Sequence, residues 1–302
     1  MIDTGLGVEP DLGGLCIAAS DTLGGWGQDL CGIHLIILTH THTDHAGGAV
    51  PLARRTGARV LLPARGWAQA ADPQWQVHHI LPPDVRRELA DVFDVAQHFR
   101  DDAMPELFSE APDVAFETVE DGDERCIGRY RLRAHYLPGH DVAHLAWVDA
   151  ARGLAFTGDM LAARGTSLPW YPPNAGGVAG YLDSLERLRA LGIGLACPGH
   201  HAVIRGHDAV ATLAKATLAK VHERSHAIVR RLLQGTATFA ELDDLVYTAD
   251  VRAVIPWASS VTMAHLRDLE TAGLARRDGA GRYLTESAAA TRYLARHAGG
   301  EA

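Results

Sequence analysis

The sequence THTHTDHAGG at residues 39–48 places four metal-ligand side chains within six residues. It follows residues 33–38, an apolar run rich in branched side chains that predicts a short buried strand. Side chains alternate along an extended backbone, so His40 and His42 are expected to project from the same side at the end of this strand. Asp44 and His45 come where the chain leaves the strand and can turn to a second position. Four such groups favour two adjacent cations over one.

A single histidine near a strand is most often a polar core residue or a surface residue. Three histidines and an aspartate at this spacing, directly after an apolar strand, favour metal binding instead. Thr41 and Thr43 are small enough to leave room for the ligands, and Gly47 and Gly48 let the backbone pass close to the site before a helix begins.

The H-x-H-x-D-H pattern of residues 40–45 resembles the metal-binding signature of the metallo-β-lactamase superfamily. The D-T-G of residues 3–5 resembles the first motif of that superfamily, in which an aspartate lies beneath the metal site, and Asp3 takes that position. The later motifs are matched, in the family's order, by Pro-Gly-His140, Thr-Gly-Asp159 and Pro-Gly-His200.

The resemblance implies a metal site with two ions. The first would be bound by His40, His42 and His140, the second by Asp44, His45 and His200, and Asp159 would bridge both. These ligands offer nitrogen and oxygen without a thiolate, which favours two Zn²⁺ ions and leaves iron or manganese open. His201 is the alternative to His200 as a ligand of the second ion. His200 is chosen because it directly follows Pro-Gly, and His201 is expected to lie near the site or in solvent. For His144 and His207 a supporting role and a solvent-facing position both stay open.

The implied chemistry is hydrolysis. A water between two cations ionises near neutral pH and becomes a nucleophile, while Asp44 orients it and later carries its proton. No G-x-S-x-G elbow or Cys/His arrangement indicates a covalent nucleophile. We therefore expect a hydrolase of carboxylic esters, thioesters or lactones. A phosphodiesterase or endoribonuclease with the same ions is the alternative, and the intact ligand set argues against a third hypothesis, a nucleic-acid-binding regulator with a vestigial site.

The expected fold class is α+β, an αββα sandwich with a small C-terminal winged-helix domain. Residues 1–214 are predicted to form the catalytic domain, with a helical insertion at about 67–124 whose acidic end is a solvated surface. The family normally has two strands before its first motif, so either the start codon is placed too late or the sheet lacks an edge. Trp170 and Tyr171 follow the Asp159 motif and are predicted either to line an acyl pocket or to pack in a loop.

Residues 215–302 show the order helix, helix, helix, hairpin, which resembles the small C-terminal domain of lactamase-like hydrolases. That group includes an endoribonuclease and enzymes acting on acyl thioesters. The candidate recognition helix carries His265 and Arg267 beside Asp268 and Glu270, a poor surface for phosphate, which favours a packing role.

Composition limits the partners. Residues 1–214 hold 27 acidic and 16 basic side chains, a balance that disfavours nucleic acid as the main substrate and leaves it open. We expect a small acyl substrate, with a homodimer as an open alternative. The chain has no membrane-spanning apolar run or signal segment, so a cytoplasmic protein is expected. The four cysteines are scattered and predicted to be reduced and mostly buried.

Overall fold

The computed structural model describes residues 1–72, Trp75, Arg87, 106–162, 173–254 and 258–298. Among these residues the strands are β1 (Leu35–Ile37), β2 (Arg59–Pro63), β3 (Phe116–Val119), β4 (Glu124–Ile127), β5 (Tyr130–Tyr136), β6 (Leu145–Asp149), β7 (Leu154–Gly158), β8 (Leu195–Pro198), β9 (Ile204–Arg205), β10 (Arg276–Arg277) and β11 (Tyr283–Leu284). The α-helices are α1 (Asp11–Gly24), α2 (Thr43–Ala46), α3 (Ala49–Thr56), α4 (Trp67–Ala71), α5 (Gly177–Ala190), α6 (His207–Leu233), α7 (Phe239–Val246), α8 (Ala249–Val254), α9 (Ala258–Thr271) and α10 (Ser287–Ala298).

The first sheet is built on a βαβ unit, which the sequence predicts from the apolar runs 33–38 and 58–62 on either side of a helical segment that ends at Gly57. Strands β1 and β2 pair in parallel, with Ile36 opposite Val60, and α3 connects them. The left-handed backbone of Gly57 (φ 73°) ends α3. Residues 1–7 have the pattern of a strand end that turns at glycines, and one parallel bridge, between Ile2 and Ile37, forms there.

The second sheet has the order β4-β5-β6-β7-β8-β9, in which only β7 and β8 pair in parallel. Its inner face packs on the first sheet through buried side chains of both sheets, namely Ile37, Leu61, Val119, Leu132, Ala134, Leu145 and Trp147. Helices α1 and α3 cover the outer face of the first sheet, while α5 and α6 cover the outer face of the second. The predicted αββα sandwich is confirmed.

The segment predicted as a helical insertion is shorter than expected. Helix α4 lies at its start, but β3 pairs in parallel with β2 and belongs to the first sheet. The acidic run that follows forms the turn between β3 and β4, where Glu120 is exposed as expected. The spacing of apolar residues at 84–100 also predicts a helix, and His78, His79 and His98 are predicted not to be ligands. Apart from Arg87, these residues lie outside those that the structure describes.

The C-terminal part is helical and has its own buried core. Helix α6 begins at His207, rather than at 215, and runs across the predicted domain boundary. A threonine three residues before a glutamate predicts a capping box at the start of α7, and it is present, because Thr238 and Glu241 exchange side-chain to backbone hydrogen bonds. Strands β10 and β11 form the predicted antiparallel hairpin. The likeness to a winged-helix domain stays a prediction.

His265 is fully buried against Ser225 (2.8 Å between His265 Nδ1 and Ser225 Oγ), which agrees with the packing role expected of its helix. The expectation that the cysteines are mostly buried is wrong. All four cysteines are free, but Cys31 and Cys126 are exposed because they lie in the turn after α1 and on the edge strand β4. None of the described helices combines the length and apolar character needed to cross a bilayer.

Candidate metal centre

The motif residues converge at one edge of the sandwich. His40 and His42 follow β1, and Asp44 and His45 lie in the short helix α2. The other three come from the β5–β6 loop, from the residue after β7 and from the loop after β8, namely His140, Asp159 and His200. All seven predicted ligand residues are therefore brought together from four separate segments of the chain.

The first group of ligand atoms comes from His40, His42 and His140, whose ring nitrogens lie within 4.8 Å of one another. His42 Nδ1 is 3.1 Å from His140 Nε2. His40 is fully buried, and its Nε2 atom has no hydrogen-bond partner in the part of the chain that the structure describes. A buried imidazole nitrogen without a partner is costly unless a cation accepts its lone pair, so this group fits a metal ion.

The second group comes from Asp44, His45 and His200, again within 4.8 Å of one another. His200 Nε2 lies 3.1 Å from Asp44 Oδ2 and 3.3 Å from Asp159 Oδ2. The other oxygen of Asp159 lies 3.3 Å from His45 Nε2. Asp159 Oδ2 is also 3.6 Å from His140 Nε2. The carboxylate of Asp159 therefore lies between the two groups and contacts both.

Asp3 lies beneath this cluster and orients two of its histidines. One oxygen accepts a hydrogen bond from Thr39 N (2.8 Å), and the other accepts from Thr39 Oγ1 (2.8 Å) and lies 2.9 Å from His45 Nδ1. Thr39 Oγ1 is in turn 3.0 Å from His40 Nδ1. His40 Nδ1 donates to Thr39 Oγ1, and His45 Nδ1 donates to the Asp3 carboxylate. Because each ring carries its proton on Nδ1, its Nε2 presents a lone pair to the site.

Two further residues support the cluster, and the sequence pointed only to His144, with its role left open. Asp141 is 1% exposed, its Oδ2 lies 3.3 Å from His42 Nε2, and its Oδ1 accepts from Ala143 N at 2.7 Å. His144 is fully buried rather than solvent-facing, and its Nε2 accepts a hydrogen bond from Asp159 N at 3.1 Å. The only sequence signal for Asp141 is its place directly after His140.

The remaining predicted side chains lie apart from the cluster. His201 is exposed, has a left-handed backbone (φ 67°) and belongs to neither group, so His200 is the one that converges. His207 is exposed at the start of α6 and packs near Gly194 rather than near the site. Trp170 and Tyr171 lie outside the described residues.

The glycine of the Pro-Gly-His200 motif has a steric reason. A Cβ atom on Gly199 would lie 2.5 Å from Asp159 Oδ1 and 2.5 Å from His45 Cε1. No larger residue leaves room for both ligand groups, so this loop can pass beneath the site only with glycine at this position.

The electrostatics of the cluster suit a cation. Burial, together with the neighbouring imidazoles, holds the pKa of His40 well below its usual value, and burial lowers the pKa of His140 to about 4. Hydrogen bonds to Asp159 and Asp44 raise the pKa of His200 to about 10. Burial acts to raise the pKa of Asp159, but hydrogen bonds from His200 and His45 outweigh it and keep the pKa low. His40 and His140 are therefore neutral, whereas the carboxylates of Asp44 and Asp159 hold a proton on His200 that a divalent ion would replace. Imidazole nitrogens beside ionised carboxylates are the donor set that zinc and similar divalent metals prefer.

A family model described as "Metallo-beta-lactamase superfamily" matches residues 1–200. The fold is similar to that of a metallo-β-lactamase family protein from Thermus thermophilus (TM-score 0.71, 26% identity, covering 94% of this chain and 89% of that one).

Two curated relatives are enzymes. A hydroxyacylglutathione hydrolase of Maricaulis maris is 29% identical over 51% of this chain and 42% of its own length. An atrochrysone carboxyl ACP thioesterase of Aspergillus fumigatus is 22% identical over 78% of this chain and 64% of its own length. The chain thus matches less than two thirds of the length of either relative. The family match, the motif residues and the sandwich agree: this chain belongs to the metallo-β-lactamase superfamily.

Proposed function

We propose that this chain is a hydrolase with two metal ions that cleaves a carboxylic ester, a thioester or a lactone. The observation that carries the proposal is the position of Asp159, whose carboxylate contacts His140 of the first ligand group and both His45 and His200 of the second. A carboxylate so placed is suited to join two ions, whereas a single-ion site needs only one of the two groups.

The residues that would hold the ions are those of the two groups. His40, His42 and His140 would bind one ion, Asp44, His45 and His200 the other, and Asp159 both. When bound, a pair of divalent ions supplies Lewis acidity, which lowers the pKa of water and polarises a carbonyl oxygen. Zinc suits these nitrogen and oxygen donors, with iron and manganese as alternatives.

Asp44 is the residue placed to move a proton. Its side chain is 43% exposed, so it reaches both the ligand cluster and the solvent side where a substrate arrives. Burial acts to raise the pKa of Asp44, but the hydrogen bond from His200 and the charge of nearby histidines outweigh it and lower the pKa. Asp44 is therefore ionised at neutral pH, accepts a hydrogen bond from the attacking water and returns a proton to the leaving group.

The acyl class of substrate is supported by the relatives and by a cavity beside the site. By their names, one relative hydrolyses a hydroxyacyl compound and the other is a thioesterase. A cavity of about 290 Å³ adjoins the β5–β6 loop that carries His140. Its walls combine charged and apolar side chains, with Arg65 over the ring of Tyr136 (4.7 Å) and Ala143 shared with the ligand loop. In this proposal it receives the part of an acyl group that extends away from the ligand cluster.

The test measures metal content and hydrolysis on the purified protein. Thioester, lactone, carboxylic ester and RNA substrates are compared after loading with zinc, iron or manganese. The variant His42→Ala should lose bound metal and nearly all hydrolysis, more than the roughly 10–100-fold that loss of a supporting residue costs.

The matched control is His201→Ala, because His201 is an exposed histidine that belongs to neither ligand group. Its metal content and rates should stay those of the parent protein. Cleavage of RNA with no acyl substrate turned over would replace this proposal with a phosphodiesterase. If His42→Ala keeps its metal content and its full activity, the proposed metal-dependent hydrolase has no basis.

A further inference from the structure

We infer that the C-terminal helical part positions the metal centre through helix α5, with Asp268 capping the start of α5 and Tyr181 holding two ligand loops. This inference rests on the proposed function, since it assigns both side chains a role in metal binding. Neither residue touches the ligand groups, so both are positioning residues.

The start of α5 depends on a carboxylate from another helix. Its N-cap is Gly176, which has no side chain to accept from the first backbone N–H groups, and the first turn of α5 contains no acidic residue. Asp268 of α9 supplies the acceptor, because its Oδ2 accepts a hydrogen bond from Ala179 N at 2.6 Å. A carboxylate here satisfies an N–H group that the helix cannot satisfy itself and also favours the positive end of the helix dipole.

The contact also constrains the sequence of α5. A Cβ atom on Gly177 would lie 2.7 Å from Asp268 Oδ1. The close approach of α9 to α5 thus requires a glycine at the first position of α5, and Asp268 is built into the seam between the two helices.

One helical turn further along, Tyr181 contacts the two loops that carry His140 and Asp159. Tyr181 is fully buried, and its hydroxyl donates a hydrogen bond to the carbonyl of Met160, the residue after Asp159, at 3.1 Å. On the other loop, a Cβ atom on Gly139 would lie 2.3 Å from Tyr181 Cα, so the backbone before His140 packs directly on α5. One residue therefore fixes the spacing between two ligand loops.

The segment around Asp159 is held from two sides. His144 accepts from Asp159 N, and Tyr181 donates to the next carbonyl along the chain. If α5 shifts at its start, Tyr181 moves with it and the Asp159 carboxylate loses its position between the two ligand groups. The expected consequence is weaker metal binding and slower turnover, with little change in substrate affinity. A misplacement of about 1 Å is enough to cost roughly 100-fold in rate.

The test uses Tyr181→Phe, Asp268→Ala and Asp268→Asn in the full chain, with Co²⁺ as the probe metal. Co²⁺ affinity and the visible absorption spectrum report ligand geometry without reference to activity, and kcat and KM are measured alongside. Tyr181→Phe and Asp268→Ala should bind Co²⁺ about ten-fold more weakly, with an altered spectrum, a lower kcat and a nearly unchanged KM. Asp268→Asn should recover most of the parent behaviour, because its amide oxygen can still accept from Ala179 N.

The matched controls are Tyr283→Phe and Asp243→Asn. Tyr283 is equally buried in the C-terminal core, and Asp243 is a buried carboxylate that accepts from Ser259 Oγ and Thr262 Oγ1 at the start of α9. Both substitutions therefore act on the C-terminal core and the start of α9, and leave the contacts of Asp268 and Tyr181 in place. These variants can lower the melting temperature and should leave the Co²⁺ spectrum unchanged.

The inference is overturned if Tyr181→Phe and Asp268→Ala bind Co²⁺ with the same affinity and the same spectrum as the controls. Should Asp268→Ala not fold, the milder Tyr181→Phe decides the question by the same criterion. Failure of the proposed function looks different. A parent protein that binds no Co²⁺ fails as a metal enzyme, whereas one that binds Co²⁺ but cleaves no acyl substrate still allows the positioning test.

Discussion

Replacing Asp3 by asparagine is expected to weaken the binding of the metal that His45 holds, although Asp3 itself is not a ligand. The carboxylate accepts from three donors, which are Thr39 N, Thr39 Oγ1 and His45 Nδ1. An amide has one acceptor oxygen and an NH₂ group, so it cannot serve all three. If the NH₂ group faces His45, the ring must accept at Nδ1 and carry its proton on Nε2. That tautomer directs a proton, rather than a lone pair, at the metal.

The opposite orientation of the amide is also unfavourable. The NH₂ group then faces Thr39 N–H, and two buried donors oppose each other. Hydrogen bonds to a charged group contribute roughly 1.5–3 kcal/mol each. Loss of such a supporting residue typically lowers metal affinity by roughly 10–100-fold, which corresponds to about 1.4–2.7 kcal/mol. We expect Asp3→Asn to fall in this range for one of the two ions.

A competition titration with a chromophoric chelator measures both binding steps, and elemental analysis gives the metal content. Asp141→Asn is the matched control, because Asp141 contacts His42 as Asp3 contacts His45. Each variant should weaken a different binding step. If Asp3→Asn binds both ions within two-fold of the parent protein, hydrogen bonding from Asp3 does not set the tautomer of His45 and the reasoning is refuted.

Three further predictions concern the carboxylate of Asp159, the buried His265 and, from the sequence alone, Trp170. Asp159→Ala should lose more metal than His140→Ala, because Asp159 contacts both ligand groups; two ions retained per chain would refute the bridging role. Burial and the charge of Arg224 lower the pKa of His265 to about 3, from 6.5, so below pH 6.5 the unfolded state binds a proton that the native state does not. The titration of His265 therefore lowers the free energy of unfolding by about 1.4 kcal/mol for each pH unit as the pH falls from 6.5 toward 3. In His265→Gln the free energy of unfolding should depend less on pH between 6 and 4, and an unchanged slope in chemical denaturation would contradict this. Trp170→Ala should reduce kcat/KM for long or aromatic acyl substrates by about ten-fold or more relative to short ones, with metal content intact; an equal loss across a chain-length series would indicate structural damage instead.

The elements that the sequence predicts well are those with local signals. The βαβ unit has an apolar run on each side of α3 and Gly57 at its end, and the capping box at Thr238 is a four-residue pattern. Strand β3 was missed because its place is set by parallel pairing with β2, more than fifty residues earlier in the chain. The early start of α6 was missed because its first turn is polar and exposed, so no apolar periodicity marks it.

The same distinction separates the candidate ligands from the residues that support them. Each ligand lies in a short motif next to a strand end, so its type and spacing are visible in the sequence. The supporting contacts join distant segments, such as Tyr181 with the carbonyl of Met160 and His144 with the backbone of Asp159. A buried histidine or tyrosine looks like an ordinary core residue until the fold shows which polar group it faces. Only the family resemblance pointed to Asp3.

The supporting contacts also show that the fold holds the two ligand groups unequally. In the first group, His40 is fixed by Thr39 and His42 by Asp141, and His140 is buried in a loop packed on α5. In the second, His45 is fixed by Asp3, but His200 is 46% exposed and the contacts of its ring nitrogen are to the Asp44 and Asp159 carboxylates. Those carboxylates are themselves candidate ligands, so a bound ion would take over the interactions that position His200. The protein therefore preorganises the first group, whereas the His200 side of the second would acquire its geometry from an ion bound there.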